Sequence, residues 1–152
     1  MIKQLLPKYL PQIEKLCRHF YYPLFWNDDL DQKTEAYPQG NFVYEINRKV
    51  VAYIYSNPFL INKIISMPKK LVIPQNPNCY YIHDVCVDKY FHNKGIATKL
   101  IHYVINLNSS KFKVFSLVSV LNTYPFYEKL HFKIIKKITY NKQPAFYMAR
   151  KI

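Results

Sequence analysis

The sequence predicts an α/β fold, a mixed β-sheet of α+β type with helices laid against it. Runs of apolar, β-branched and aromatic residues take turns with stretches whose apolar residues recur every three or four positions. The chain has 152 residues, enough to bury one sizeable core but not two, so a single domain over residues 1–152 is expected. Strands and helices in that alternation pack as layers, helix on sheet.

Residues 2–6 read as a short strand. Residues 9–20 follow as an amphipathic helix, because Leu10, Ile13, Leu16, Cys17 and Phe20 recur at helical spacing. Residues 23–38 hold Trp26 and an acidic cluster, Asp28, Asp29, Asp31 and Glu35, and suit a helix or a loop equally. Gly40 then precedes two β-rich runs, 42–46 and 50–55, joined across Asn47 and Arg48 as a hairpin. Between 57 and 79, Pro58, Pro68, Pro74 and Pro77 block regular structure over most of the stretch. A long connection in a compact domain is often a functional lid.

Residues 80–87 are again strand-like, and 94–107 form a strong helix with Ile96, Leu100, Ile101, Val104 and Ile105 on one side. Residues 112–120 alternate as a strand, 124–130 form a short helix, and 132–138 and 145–152 close the chain as strands.

Composition narrows the classes of function. Cys17, Cys79 and Cys86 are too few and too scattered for a disulfide framework, and no CxxC or HxxxH spacing points to a metal. They read as reduced thiols. Lys3, Pro7 and Lys8 break the N-terminal segment before a signal-peptide core forms, and the longest apolar runs, such as 50–55, fall far short of the roughly 18 residues that span a bilayer. A soluble, cytoplasmic protein without a membrane partner is expected.

The formal charge is +13, and basic proteins commonly meet phosphates or nucleic acid. The basic residues are nearly all Lys, with only Arg18, Arg48 and Arg150 as arginines, in a chain heavy in Asn, Ile, Tyr and Phe with two glycines. A and T rich codons favour those residues. Genome composition therefore explains much of the charge, and a nucleic-acid partner is the competing reading.

The stretch YYIHDVCVDKYFHNKGIATKLI carries the chemistry. A buried strand ends at Val87 and a helix opens near Gly95, so N–H groups of the helix's first turn face whatever lies at the strand's end. That is an anion site, aided by the helix dipole. A side chain at Gly95 would obstruct the approach of phosphate oxygens to the backbone.

Here the sequence resembles the GNAT superfamily of N-acetyltransferases. The family's pyrophosphate loop reads Arg or Gln, two residues, Gly, any residue, then Gly or Ala; this chain has His92-Asn93-Lys94-Gly95-Ile96-Ala97. Gly95 and Ala97 fit, while His92 stands where Arg or Gln is usual. The segment LVSVLNTYPFYEKLHFKII resembles the family's second motif, in which an Asn opens a short helix ending in Phe-Tyr-Glu-Lys-Leu-Gly-Phe. Asn122 opens it here and His131 replaces the Gly. The resemblance is sharpest over residues 80–135.

The resemblance implies a GNAT fold and acetyl-CoA as co-substrate, with His92, Asn93, Lys94, Gly95, Ile96, Ala97 and Thr98 around the pyrophosphate. The backbone of Val85, Cys86 and Val87 would meet the pantetheine arm, and Asn122 would touch the coenzyme, with a helix N-cap as its alternative role. Cys86 is then a small strand residue and no nucleophile, since the family passes acetyl directly from coenzyme to amine. Tyr127, five residues after Asn122, would protonate the leaving thiolate. His83 is the candidate base, because an imidazole can be neutral at working pH and an alkylammonium must lose a proton before it attacks. Asp84 is adjacent, so regular alternation turns it to the opposite face and makes it structural, while Tyr81 shares His83's face and would line the acceptor site. Asp28, Asp29 and Asp31 lie where the acceptor-side helices are expected and could hold a cationic amine or form a solvated face.

The expected activity is acetyl transfer from acetyl-CoA to a small-molecule or protein amine, by a monomer or homodimer without a metal. An enzyme acetylating the amine of an aminoacyl-tRNA, or a coenzyme-binding module without transfer activity, are the alternatives.

Overall fold

The computed structural model describes residues 1–21, 30–65 and 70–152. Seven strands form one mixed sheet: β1 (Ile2–Gln4), β2 (Phe42–Ile46), β3 (Lys49–Phe59), β4 (Cys79–Val87), β5 (Val114–Ser119), β6 (Lys133–Tyr140) and β7 (Gln143–Lys151). Their order across the sheet is β1-β2-β3-β4-β5-β7-β6. All neighbours are antiparallel except β4 and β5, which run parallel. Among the described residues, four α-helices cover the two faces: α1 (Leu10–Tyr21), α2 (Leu30–Ala36), α3 (Ile96–Asn108) and α4 (Tyr124–Lys129).

Two apolar clusters hold these layers together. On one face, Ile96, Leu100, Ile101, Val104 and Ile105 of α3 pack on Ala52, Ile54, Tyr80, Ile82, Phe115 and Leu117, with the aromatic residues of α4 beside them. On the other, Ile13, Leu16 and Cys17 of α1 pack on Val43, Val50, Tyr53, Tyr55 and Cys86. Ile13, Leu16 and Cys17 of the expected α1 stripe and all five residues of the expected α3 stripe are buried, Leu10 is half-buried, and the side chain of Phe20 lies outside the described residues. Cys17, Cys79 and Cys86 are buried and in no disulfide, in keeping with the thiol reading.

Several boundaries differ from the sequence reading. The ambiguous stretch before Gly40 contains α2, while Trp26, Asp28 and Asp29 lie outside the described residues, as does the side chain of Asp31. Strand β3 continues through Pro58 to Phe59, past the expected end at residue 55. Proline is tolerated there because the β2 ladder stops opposite Ile54, so beyond that point β4 is the one strand paired with β3. Strands β6 and β7 each run two residues further towards one another than expected, because Asn141 and Lys142 take φ of 47° and 62° and close a two-residue turn. Asn47 and Arg48 form the same left-handed pair, with φ of 48° and 63°, at the predicted β2–β3 hairpin.

Gly40 is a glycine for packing: a Cβ there would sit 2.0 Å from the Ser56 carbonyl oxygen. At the far edge of the sheet, β6 exposes Lys133, Lys136 and Lys137, charges that discourage edge-to-edge pairing of an open strand. No described helix is long and apolar enough to cross a membrane.

Candidate active site

The site begins with a ladder that stops. Strands β4 and β5 pair only from Tyr80↔Phe115 to Ile82↔Leu117. Beyond Ile82, β4 stays with β3 as far as Val87↔Ala52, and β5 stays with β7 as far as Ser119↔Phe146. The two strands part like a V. A cleft of about 770 Å³ opens along the gap, lined by Val85, Cys86 and Val87 on one side, by residues 91–93 and 95–98 at one end, and by residues 121–123 and 125–127 on the other side.

At one end of the cleft the turn from β4 to α3 presents backbone donors. Asp88 accepts from the Tyr90 N–H through its side chain, which caps the 3₁₀ turn Lys89–Phe91. His92 bonds through Nε2 to the Val87 carbonyl at 2.9 Å, so the histidine standing where Arg or Gln is usual fastens the turn to the strand end. Asn93 and Gly95 adopt φ of 59° and 71°, and Gly95 is the N-cap of α3 without any side-chain cap. The first-turn N–H groups of α3 therefore face the cleft uncapped, as an anion site requires. A Cβ on Gly95 would meet nothing within 4 Å, so glycine is favoured here by its left-handed φ and by the open cleft rather than by protein packing.

The opposite wall comes from the β5–α4 turn. Leu121 and Asn122 take φ of 53° and 57°, and the N-cap of α4 is Thr123. The N-cap alternative for Asn122 is thereby corrected: Asn122 lies one residue outside the helix, exposed at the cleft wall, and Thr123 ties the turn to the Val120 carbonyl instead. The Tyr127 ring packs edge-on against Phe126 and Phe132, at 5.1 and 6.1 Å between centroids. Burial raises its hydroxyl pKa well above the ordinary value, and the charge of Asp84 adds to this. His131 takes φ of 64°, the left-handed backbone that explains why the resembling motif has a glycine there.

The far side of β4 departs most from the sequence reading. Tyr55 pairs with Asp84 and the next residue, Ser56, pairs with Ile82, so His83 is an extra residue in a β-bulge. The bulge cancels the alternation that would turn Asp84 away from His83. Both feel the charge of Lys33 from α2, and Tyr53, on the α1 face, donates to Asp84 Oδ2 at 2.7 Å. Val85 and Val87 pack with the α3 cluster, while Cys86 packs with the α1 cluster and takes its thiol out of the cleft.

His83 and Asp84 are each half-buried as residues, yet the His83 Nδ1 is enclosed and has no hydrogen-bond partner among the described residues. Burial holds the His83 pKa well below 6.5, and the Lys33 charge pushes it the same way. Burial raises the Asp84 pKa, against the Lys33 charge and the Tyr53 hydrogen bond. The Asp84 charge also acts on Tyr127 in α4 and on Tyr140 at the end of β6, whose hydroxyl burial pushes up to about 12. Asp84 thus sits at the crotch of the V, where the cleft meets the α1 face. Tyr81 shares that face, with its ring centroid 5.9 Å from that of His83, and is wholly buried.

A family model for the Acetyltransferase (GNAT) family matches residues 5–132. The chain belongs to the GNAT acetyltransferase family. Solved GNAT structures share its fold over nearly their whole length. Ard1 from Thermoplasma volcanium is 17% identical, with 100% of this chain and 97% of that one covered and a TM-score of 0.79. Naa50 from Arabidopsis thaliana, in complex with the bisubstrate analogue CoA-Ac-MVNAL, is 17% identical with coverage of 100% and 98% and a TM-score of 0.75. An aminoglycoside 6'-N-acetyltransferase complexed with coenzyme A is 17% identical with coverage of 99% and 96% and a TM-score of 0.74. No curated protein sequence matches the chain. Family membership supports acyl-CoA-dependent N-acyltransferase activity as a class.

Three residues of the site were not legible. Lys33, 7% exposed and near enough to act on both His83 and Asp84, sits in a segment that fitted helix or loop equally. Tyr53 and Tyr140 are two tyrosines among fifteen, and only the register of β3 and the closure of the β6–β7 turn bring them to Asp84.

Proposed function

We propose that the protein transfers acetyl from acetyl-CoA to a primary amine by direct attack within a ternary complex. One observation carries this: a single cleft joins the uncapped N-terminus of α3 to Tyr127 across the gap between β4 and β5. The first-turn N–H groups of residues 96–98 would bind the pyrophosphate, with His92, Asn93, Lys94 and Gly95 shaping the turn. The backbone of Val85, Cys86 and Val87 would hold the pantetheine arm, with Asn122 on the facing wall. The thioester then lies near Tyr127, and the amine approaches from the His83–Asp84 side.

The nitrogen lone pair attacks the thioester carbonyl, and collapse of the tetrahedral intermediate breaks the carbon–sulfur bond. The departing thiolate takes the Tyr127 proton. A raised pKa keeps that phenol protonated throughout the neutral range. The amine's proton leaves towards the His83–Asp84 pair. Burial acts oppositely on the two: it weakens His83 as a base and strengthens Asp84. The two are drawn together in basicity, and they serve as a pair: Asp84, held by the Tyr53 hydrogen bond, takes the proton, with His83 Nδ1 as a relay or a hydrogen-bond partner for the amine.

Acetyl-CoA should raise the melting temperature, by about 5 to 10 °C at a hundredfold excess over Kd. Thiol release on adding primary amines tests the transfer. Coenzyme binding without release for any amine class would reduce the protein to a coenzyme-binding module.

A further inference from the structure

The relatives in this fold divide over the acceptor, one being complexed with a peptide-bearing analogue and another named for an aminoglycoside. The segment following β3 bears on that choice. Residues 60–65 form a strap pinned at several points to the sheet. The Ile61 N–H donates to the Asn78 side-chain oxygen at 2.7 Å and closes the base of the loop. The Asn62 N–H donates to the Tyr147 hydroxyl of β7 at 2.9 Å. The Tyr140 hydroxyl of β6 donates to the Ile65 carbonyl at 3.2 Å, and the Ile65 backbone also reaches the hydroxyl of Tyr81 in β4.

These fastenings lie on the face of β4 that carries His83. Tyr81 is two residues before His83 and packs against it with the rings tilted by 58°, and Tyr140 feels the Asp84 charge. Helix α1 packs over β3 and β4, and the strap covers the sheet towards β7. Beneath it Tyr81 and Tyr147 are 1% and 2% exposed, and Ile65 itself is 7% exposed.

We infer that the strap roofs the acceptor side of the site and restricts the amine to a compact free molecule, excluding an amine borne on a polypeptide. The inference rests on the acetyl-transfer reading and deepens it. A chain-borne amine needs a path for its backbone away from the reacting nitrogen, and extended peptides are usually held by main-chain hydrogen bonds along such a path. The Asn62 N–H and the Ile65 carbonyl are already bonded to Tyr147 and Tyr140. A compact amine needs only a counter-charge and apolar walls. Asp84 supplies the first, and the half-buried rings of His83 and Tyr140 supply the second.

The test compares kcat/KM for benzylamine, putrescine and glucosamine with that for pentapeptides bearing free N-termini, with thiol release as readout. The best small amine should exceed the best peptide by about a hundredfold or more. The double variant Tyr140→Phe, Tyr147→Phe loses two pinning hydroxyls and keeps both rings. It should narrow that ratio about tenfold through faster peptide turnover, with the KM for acetyl-CoA unchanged. A wild-type preference for peptides overturns the inference, and so does an unchanged ratio in a double variant whose melting temperature shows it folded. Turnover with none of the probes overturns it too. A melting shift with acetyl-CoA, measured in parallel, separates the cases: with the shift present and peptides preferred, the acetyl-transfer reading survives and only the roof is wrong.

Discussion

Strand β4 has two faces, and they were built by different means. On the α3 side the strand is regular: Val85 and Val87 turn towards the cleft, the ladder to β5 stops, and the backbone itself is the working surface. On the α1 side a bulge places His83 and Asp84 together, and side chains from α2, β3 and β6 reach the pair. A coenzyme is recognised largely by backbone and can be held by a short local motif. An acceptor is recognised by side chains that distant segments deliver, and no short motif describes them. Variants on the two faces should therefore fail differently.

The largest effect is expected from Tyr127→Phe, which removes the proposed proton donor and keeps the ring against Phe126 and Phe132. Turnover should fall about 10² to 10⁴-fold with acetyl-CoA affinity little changed. Full turnover in this variant would move the proton to water or to another group, and the coenzyme face would lose its one chemical side chain.

Next comes Gly95. Gly95→Glu sets a carboxylate beside the phosphates and should abolish the melting shift produced by acetyl-CoA. Gly95→Ala has open space for its methyl and is strained only by the φ of 71°, so it should cost about 1 to 2 kcal/mol of stability while retaining part of the shift. Equal loss in both variants would show that the backbone conformation, and not access of the phosphates, is what matters.

On the acceptor face, Asp84→Asn should lower kcat more than His83→Ala does, by about tenfold. Both should recover in part at high pH, where more of the amine is already neutral. If His83→Ala is the more damaging, the histidine is the base and the carboxyl only orients it.

The smallest effect is a dependence of stability on pH. His83 has a folded pKa below its ordinary 6.5, so between the two values the unfolded chain takes up a proton that the folded one refuses. Stability then falls as pH drops below 6.5, by at most about 1.4 kcal/mol per pH unit. His83→Gln removes that dependence, so melting curves of variant and wild type should converge or cross between pH 7.5 and 5.5. Parallel curves over that range would mean that the imidazole titrates as freely as in the unfolded chain.

The same division explains what could be read from the sequence. The pyrophosphate turn, the Tyr127 helix and the buried side of α3 are local patterns; residues 92, 93 and 95–98 line the cleft, while Lys94 does not and sets its ammonium over the Phe91 ring. Asp84 was turned the wrong way because period-two alternation assumes an unbroken strand, and nothing in YYIHDVCV marks the extra residue. Asn122 was one residue from its expected place because two successive left-handed residues lengthen the turn. The β6–β7 turn was the one missed feature with a visible signal: Asn141-Lys142 repeats the Asn-then-cation pair of Asn47-Arg48, which had been read as a hairpin.

The bulge at His83 also says something about how separable this protein's architecture is from its chemistry. Ile82 already pairs with Ser56 and Asp84 with Tyr55, so the flanking ladders are in step once the histidine is set aside. Loss of that one codon would join two registers that already match, leaving a sheet with the same partners throughout. A chain with His83 deleted should keep its far-ultraviolet circular dichroism and a cooperative melt, and acetylate about as slowly as His83→Ala, because Asp84 keeps its pairing with Tyr55. In the language of inheritance, the sheet would then be indifferent to a triplet that the acceptor side feels, so a gene could lose it and change the activity without touching the architecture.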